Sequence, residues 1–281
     1  MEQSLPLSNL PRFARLVGRR DAALHLAEAA LLIAQDAYPG LDVDAYLRRL
    51  DELAEPLRPG WREYAPLPEL VAALNGHLFG EIGFRGNRED YYDPRNSYLN
   101  EVLDRKLGIP ITLSLVYMEV AGRLGLRVVG VGLPGHFLVS AEQDGASLLL
   151  DPFNGGEAVT ADDCERLVQE AYGGGVPFSE DQLAPVRKRQ ILTRMLNNLK
   201  RTYMSQDDPG AAWPVVEKMV CLNPESAVDR RDRGLVAYRL NNFAQARHDL
   251  RYYLEHRPDA PDRVAVRSSL AAVESILSMM A

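Results

Sequence analysis

The chain has 281 residues, 46% hydrophobic and 25% charged, with a formal net charge of −7. That profile suits a soluble globular protein long enough for two modest cores, and an acidic balance gives no footing for nucleic-acid binding, which needs a dense basic face. The richest apolar segment, residues 22–34, is broken by His25 and Glu28 and falls far short of a membrane span.

No basic region followed by an apolar run stands at the N-terminus, so no secretory signal is expected. The two cysteines, Cys164 and Cys221, have no metal-like spacing. They argue against a disulfide framework and a metal site and point to a reducing, cytoplasmic setting. No cofactor is expected.

Taken in chain order, the first third reads as helical. Asp21 is placed to cap a helix over residues 21–37, with Leu24, Ala27, Leu31 and Ala34 recurring at three- and four-residue steps. Pro39-Gly40 stops it. Asp42 is placed to cap a second helix reaching about Leu57, and residues 67–79 carry a third helical pattern. Gly83, Gly86 and Asn87 mark a loop. Residues 96–107 read as a short helix capped by Asn96 or Ser97 and closed by Gly108. Pro110 then falls at the first turn of the next helix, where its missing N–H costs nothing. That helix, residues 111–124, is apolar nearly all round and so is expected to be buried.

The hydrophobic pattern then changes from helical to strand-like. Residues 127–131, 136–140 and 148–150 read as strands, with Glu142-Gln143-Asp144-Gly145 as the hairpin turn between the last two. A buried helix followed by antiparallel strands is an α+β arrangement. The glycine-rich break at residues 172–177 puts a domain boundary just beyond it, giving a first domain over 1–183 and a second over 184–281.

The second domain repeats. Tyr203, Ala212, Val216, Met219 and Pro224 recur as Ala237, Ala246, Leu250, Tyr253 and Pro258, each pair 34 residues apart. This is the spacing of a tetratricopeptide repeat, in which small residues let two antiparallel helices approach and proline ends the second. A closing helix over residues 262–279 completes it. The alternating run Asp229-Arg230-Arg231-Asp232-Arg233 reads as a solvated, self-paired helix face.

One block could carry chemistry. A thiol at a helix N-terminus has its pKa lowered by the helix dipole and an adjacent imidazole, and a carboxylate on a neighbouring strand orients that imidazole. Here His136 falls on one strand and Asp151 at the end of the next. The stretch from Gly108 to Asp151 resembles the transglutaminase-like core of the papain-like superfamily. The resemblance is carried by Leu124-Gly125-Leu126 at the helix end, His136 on a strand and the Asp151-Pro152 pair. Nearly the whole chain, from about Leu24 to Pro258, looks like the bacterial SirB family, through the RGNREDYYDPRNSYLNEVLDRKLGIPITLS and PGHFLV segments followed by tetratricopeptide repeats.

This resemblance implies a helical lead-in, a transglutaminase-like α+β domain and C-terminal tetratricopeptide helices. It also implies a proline, Pro110, where the enzymes of the superfamily carry their nucleophilic cysteine. A similar domain in a eukaryotic F-box adaptor implies protein recognition in one relative.

Two functional classes follow. One is a non-catalytic interaction or regulatory protein, a pseudoenzyme that meets a protein partner through its repeats. The other is a hydrolase or acyl transferase in which His136 and Asp151 activate a hydroxyl or a water. Ser114 and Thr112, in the first turn of the same helix, are the weak nucleophile candidates. The dense polar run from Tyr91 to Asn100 reads as a loop fixed by capping bonds, with Tyr92, Asn96 and Asn100 as candidate binding residues facing His136.

Overall fold

A computed structural model describes residues 9–62, 64–173 and 175–280. Among them are twelve α-helices: α1 (Leu10–Val17), α2 (Leu26–Ala34), α3 (Val43–Ala54), α4 (Leu67–Asn75), α5 (Leu99–Arg105), α6 (Pro110–Arg123), α7 (Ala161–Tyr172), α8 (Lys188–Ser205), α9 (Pro209–Leu222), α10 (Ala227–Arg239), α11 (Phe243–His256) and α12 (Arg263–Met280). Six short strands join them: β1 (Arg85–Gly86), β2 (Leu107–Gly108), β3 (Arg127–Val131), β4 (Leu138–Gln143), β5 (Ala146–Asp151) and β6 (Glu157–Ala158). The chain divides into two compact units. One spans Asp21–Met195. The other joins the segment before Asp21 to the chain from Leu196 onward. The sequence puts the division at Leu183; it falls instead inside α8, and α1 belongs with the repeats. The reason is local to α1, whose Phe13 is fully buried and whose N-cap residue Asn9 accepts a 2.9 Å hydrogen bond from Lys218 Nζ on α9.

In the first unit, Asp21 does not cap α2. It opens a single 3₁₀ turn, and its carboxylate accepts from the backbone N–H groups of Lys188 at 3.1 Å and Arg189 at 3.0 Å. The capping chemistry read from the sequence is present but serves the start of α8, remote along the chain. Asp42 does cap α3, accepting from Ala45 N at 3.0 Å. After α4 the helical pattern continues as a wider π turn, Gly76–Glu81.

The central element is α6. Pro110 begins it, and Ile111, Leu113, Leu115, Val116, Tyr117, Val120 and Ala121 are all buried. Each fully buried aliphatic side chain of this kind contributes about 1.5–3 kcal/mol of transfer free energy. The helix packs against α3, β3 and β4. The sheet runs β3-β4-β5-β6, antiparallel throughout. Asp144 and Gly145 both take positive φ, 50° and 83°, which makes the β4–β5 connection a two-residue hairpin with the natural twist. That turn fixes the register Val139↔Leu150.

In the second unit α9 packs against α10, α10 against α11, and α12 closes the stack against α11. Ala212, Val216 and Met219 of one repeat and Ala246, Leu250 and Tyr253 of the next are buried. The Asp229–Arg233 run is not a solvated face. Arg233 reaches the fully buried Asp249 through Nε at 2.7 Å and Nη2 at 2.9 Å and touches Glu217 at 3.1 Å, while Arg231 bridges Asp232 and Asp262. Removing one member of such a pair strands a buried charge. Asp249→Ala is therefore expected to destabilise the repeats by about 3–5 kcal/mol, whereas joint replacement of Arg233 and Asp249 by apolar residues recovers most of the loss. Chemical denaturation of the two variants beside the parent checks this.

Candidate functional site

The β4–β5 register sets one residue of the site level with the other. Val139 pairs with Leu150, so Asp151 at the end of β5 comes opposite Leu138, two residues beyond His136. His136 lies just before β4 rather than within it. It follows Gly135, which takes a φ of 74° that few other residues tolerate, and its N–H donates to Leu133 O at 3.3 Å. This turn swings the imidazole toward β5. His136 Nε2 and Asp151 Oδ2 are 2.8 Å apart, and both residues are buried.

Asp151 is held by more than the imidazole. It also caps the 3₁₀ turn Pro152–Asn154, with Oδ1 accepting from Phe153 N at 3.0 Å and Asn154 N at 3.4 Å. The Asn154 side chain donates to Oδ2 at 2.8 Å. A carboxylate that accepts this many N–H bonds is fixed in place. On His136 the other ring nitrogen, Nδ1, has no hydrogen-bond partner among the described residues.

Aromatic rings border the imidazole. Phe153 meets it edge-on, with centroids 6.0 Å apart. Tyr91 meets Phe153 edge-on at 6.1 Å, and Tyr92 meets Tyr91 at 5.4 Å. Phe153 is seated by Gly86, where any Cβ would come within 2.5 Å of the ring. Arg88 lies over the other side of this group, its guanidinium 5.1 Å from the Phe153 centroid and bonded to Asn154 Oδ1. At the back, Arg194 of α8 donates to the carbonyls of Leu133 at 2.7 Å and His136 at 2.6 Å. Burial holds its guanidinium below the ordinary value, against a smaller opposing effect of the Tyr91 and Tyr172 phenols.

The helix-start residues are engaged elsewhere. Thr112 Oγ1 accepts from Ile109 N at 3.1 Å and lies 2.8 Å from Asn96 O, to which it donates. It is a capping hydroxyl that pins the start of α6 to the preceding loop. Ser114 is fully buried and faces the Phe137 carbonyl at 3.4 Å. Neither hydroxyl bonds to His136. Cys164 is buried in the cluster of Val131, Leu133, Leu138 and Val168, and its thiol is pushed up to about 11 by burial, then by the Asp163 and Asp151 carboxylates. A thiol so placed is protonated at neutral pH and unreactive.

The polar loop splits in the same way. Asn96 is fully buried, with Nδ2 donating to Asp90 O at 2.7 Å and Tyr91 O at 3.3 Å and Oδ1 accepting from Asn87 at 3.0 Å. Its amide closes its own loop and is not presented to His136. Nor does it cap a helix, since α5 starts after Tyr98. Asn100 is buried on α5, with an oxygen that has no hydrogen-bond partner among the described residues. Tyr92, 69% exposed, does stand on the aromatic rim. The sequence reading missed Asn154, Phe153 and Arg194. Asn154 was legible as the third residue after a capping aspartate. Arg194 carried no signal, because only the fold brings α8 beneath the His136 turn.

Among the described residues, no group of three or more His, Cys, Asp or Glu could hold a metal ion, and no helix is long and apolar enough to cross a membrane. A family model described as the transglutaminase-like superfamily matches residues 44–197, and a tetratricopeptide repeat model matches residues 199–271. A UPF0162 protein of Xylella fastidiosa is 40% identical over 264 residues, covering 93% of this chain and 94% of its own. A UPF0162 protein of Pseudomonas aeruginosa is 34% identical over 80% of this chain and 82% of its own. F-box only protein 21 of Mus musculus is 35% identical over 139 residues, which are 47% of this chain but 21% of that protein.

The loop that carries the rim has its own electrostatic anchor. Desolvation works to raise the Asp93 carboxyl, but the bonds from Arg95 and the charges of Arg95 and Arg105 outweigh it and hold the group below the usual carboxylate range. A depressed folded-state pKa contributes stability that is present above the unfolded value of about 3.9 and is lost as pH falls through the folded value. The parent's stability advantage over Asp93→Asn is therefore expected at pH 6 and to shrink below about pH 4. Urea midpoints across that range measure it.

Proposed function

This chain belongs to the UPF0162 family of transglutaminase-like proteins, and we propose that it works as a non-catalytic interaction or regulatory protein on a scaffold that has lost its nucleophile. The observation that carries this reading is the start of α6. Pro110 occupies the helix-start position that the sequence resemblance assigns to a thiol, and the Thr112 hydroxyl beside it is engaged in pinning the helix to Asn96. A dyad can orient a base, but acyl transfer needs a group to attack or a water held in line. The repeats support the interaction role, because tetratricopeptide repeats generally mediate protein–protein contacts. The proposal includes the SirB-family resemblance and a reducing, cytoplasmic setting, in keeping with two free cysteines.

A hydrolase or acyl transferase is the second reading. The 2.8 Å contact from His136 to Asp151 favours it, since it leaves Nδ1 as an oriented base. The two readings separate on turnover. The parent chain, offered peptide anilides and a glutamine donor with an amine acceptor, is expected to show no rate above that of a His136→Ala, Asp151→Asn double variant. A parent rate abolished in the double variant would overturn the non-catalytic reading.

A complementary variant asks whether the scaffold keeps its geometry. Pro110→Cys places a thiol at a helix N-terminus, where its pKa is lowered. Its alkylation by iodoacetamide at pH 7 is expected to slow when His136→Ala is added. Equal rates with and without His136 would mean that the imidazole does not serve this position.

A further inference from the structure

Arg194 is a charge without a counter-charge. Its guanidinium is largely buried under the His136 turn, donates two hydrogen bonds to backbone carbonyls, and lies 5.4 Å from the Phe137 ring centroid. No carboxylate stands within ion-pair distance of it among the described residues. The nearby buried carboxylate, Asp151, is fully engaged by His136, Asn154 and two backbone N–H groups. A partly desolvated cation that meets only carbonyl dipoles is poorly compensated. Two of its five N–H donors are in use, which leaves three.

Aromatic rings stand around the His136 turn. The Tyr172 ring comes within 3.3 Å of the position a Cβ would take on Gly135, on one side of His136. Phe153 meets the imidazole edge-on, and Tyr91 meets Phe153. Tyr172 is 50% exposed and Tyr91 38% exposed, so the rings border an accessible surface.

We propose that this face takes a carboxylate from a protein partner, with Arg194 supplying the charge, the Tyr172 hydroxyl donating, and Tyr91 and Phe153 nearby as apolar lining. A planar guanidinium matches the geometry of a planar carboxylate. One uncompensated cation balances a monoanion and not a dianionic phosphate. The inference deepens the non-catalytic reading above and rests on it: the turn that holds the imidazole also presents the Arg194 guanidinium to a ligand.

The test is a titration of the full-length, isotope-labelled chain, following the His136 ring signals by NMR. The probes are N-acetylglycine for a C-terminal carboxylate, the α-amide of N-acetylglutamate for an acidic side chain, the α-amide of N-acetylglutamine as the neutral isostere, and inorganic phosphate. The expected result is a saturable shift of the His136 signals with at least one carboxylate, and none with the neutral isostere; whichever carboxylate binds tighter names the source. Tyr172→Phe, a change at a half-exposed ring that leaves the fold intact, is expected to weaken binding about fivefold, and Arg194→Gln about tenfold or more. Arg194→Lys keeps the charge and is expected to fall between Arg194→Gln and the parent. Three results overturn the inference: tighter binding of phosphate than of either carboxylate, an equal response to the neutral isostere, or carboxylate binding unchanged in Tyr172→Phe and Arg194→Gln alike. Deamidation of the glutamine probe would instead overturn the non-catalytic reading, so the two failures are distinguishable.

Discussion

The Asp151 carboxylate is the joint at which strand, turn and imidazole of the first unit meet. It ends β5, caps the turn that follows, and receives bonds from His136 and Asn154. A carboxylate buried this deeply is tolerable only when it is fully hydrogen-bonded, and each charge-assisted bond contributes about 1.5–3 kcal/mol. The same bonds decide where everything nearby stands. The turn they cap carries Phe153 over Gly86, and so draws the β1 loop with its tyrosines toward His136. A function tied to this unit is therefore tied to a rigid arrangement that predates any particular ligand.

The other end of that arrangement is the start of α6, and there the chemistry changes. Proline suits the first turn of a helix as well as any residue. Thr112 closes the turn from inside by bonding back to Ile109 and across to Asn96, which in turn closes its own loop. The start of α6 is knitted into structure through hydroxyl and amide groups of the kind a working enzyme would present to a substrate. The His136–Asp151 pair orients an imidazole with a cation behind it, and under the proposed reading that arrangement is a recognition element.

Much of this was legible in the sequence wherever the deciding interaction is local. The β4–β5 hairpin follows from Asp144-Gly145, the start of α3 from Asp42, and the burial of α6 from its unbroken apolar surface. The repeat spacing located α8 to α12. The misreadings share one cause, which is polar chemistry used at a distance. Asp21 has the signature of a cap and is one, but for α8 rather than α2. Asn96 has the signature of a helix cap, and its amide satisfies carbonyls within its own loop, as the loop reading of Tyr91 to Asn100 expects. The Asp229–Arg233 run looked solvated because its partners, Asp249, Glu217 and Asp262, come from other helices. Arg194 shows the limit most plainly: nothing near it in the chain hints at the carbonyls it meets.

The claim on which the account turns is that no side chain at the start of α6 acts as a nucleophile. Intact-mass spectrometry after exposure to an acylating ester and to a fluorophosphonate addresses it directly, because either reagent traps an activated hydroxyl or thiol without any knowledge of the natural substrate. The account predicts no adduct on Thr112 or Ser114, and no difference between the parent and His136→Ala. A stoichiometric adduct on either residue that disappears in His136→Ala would contradict it.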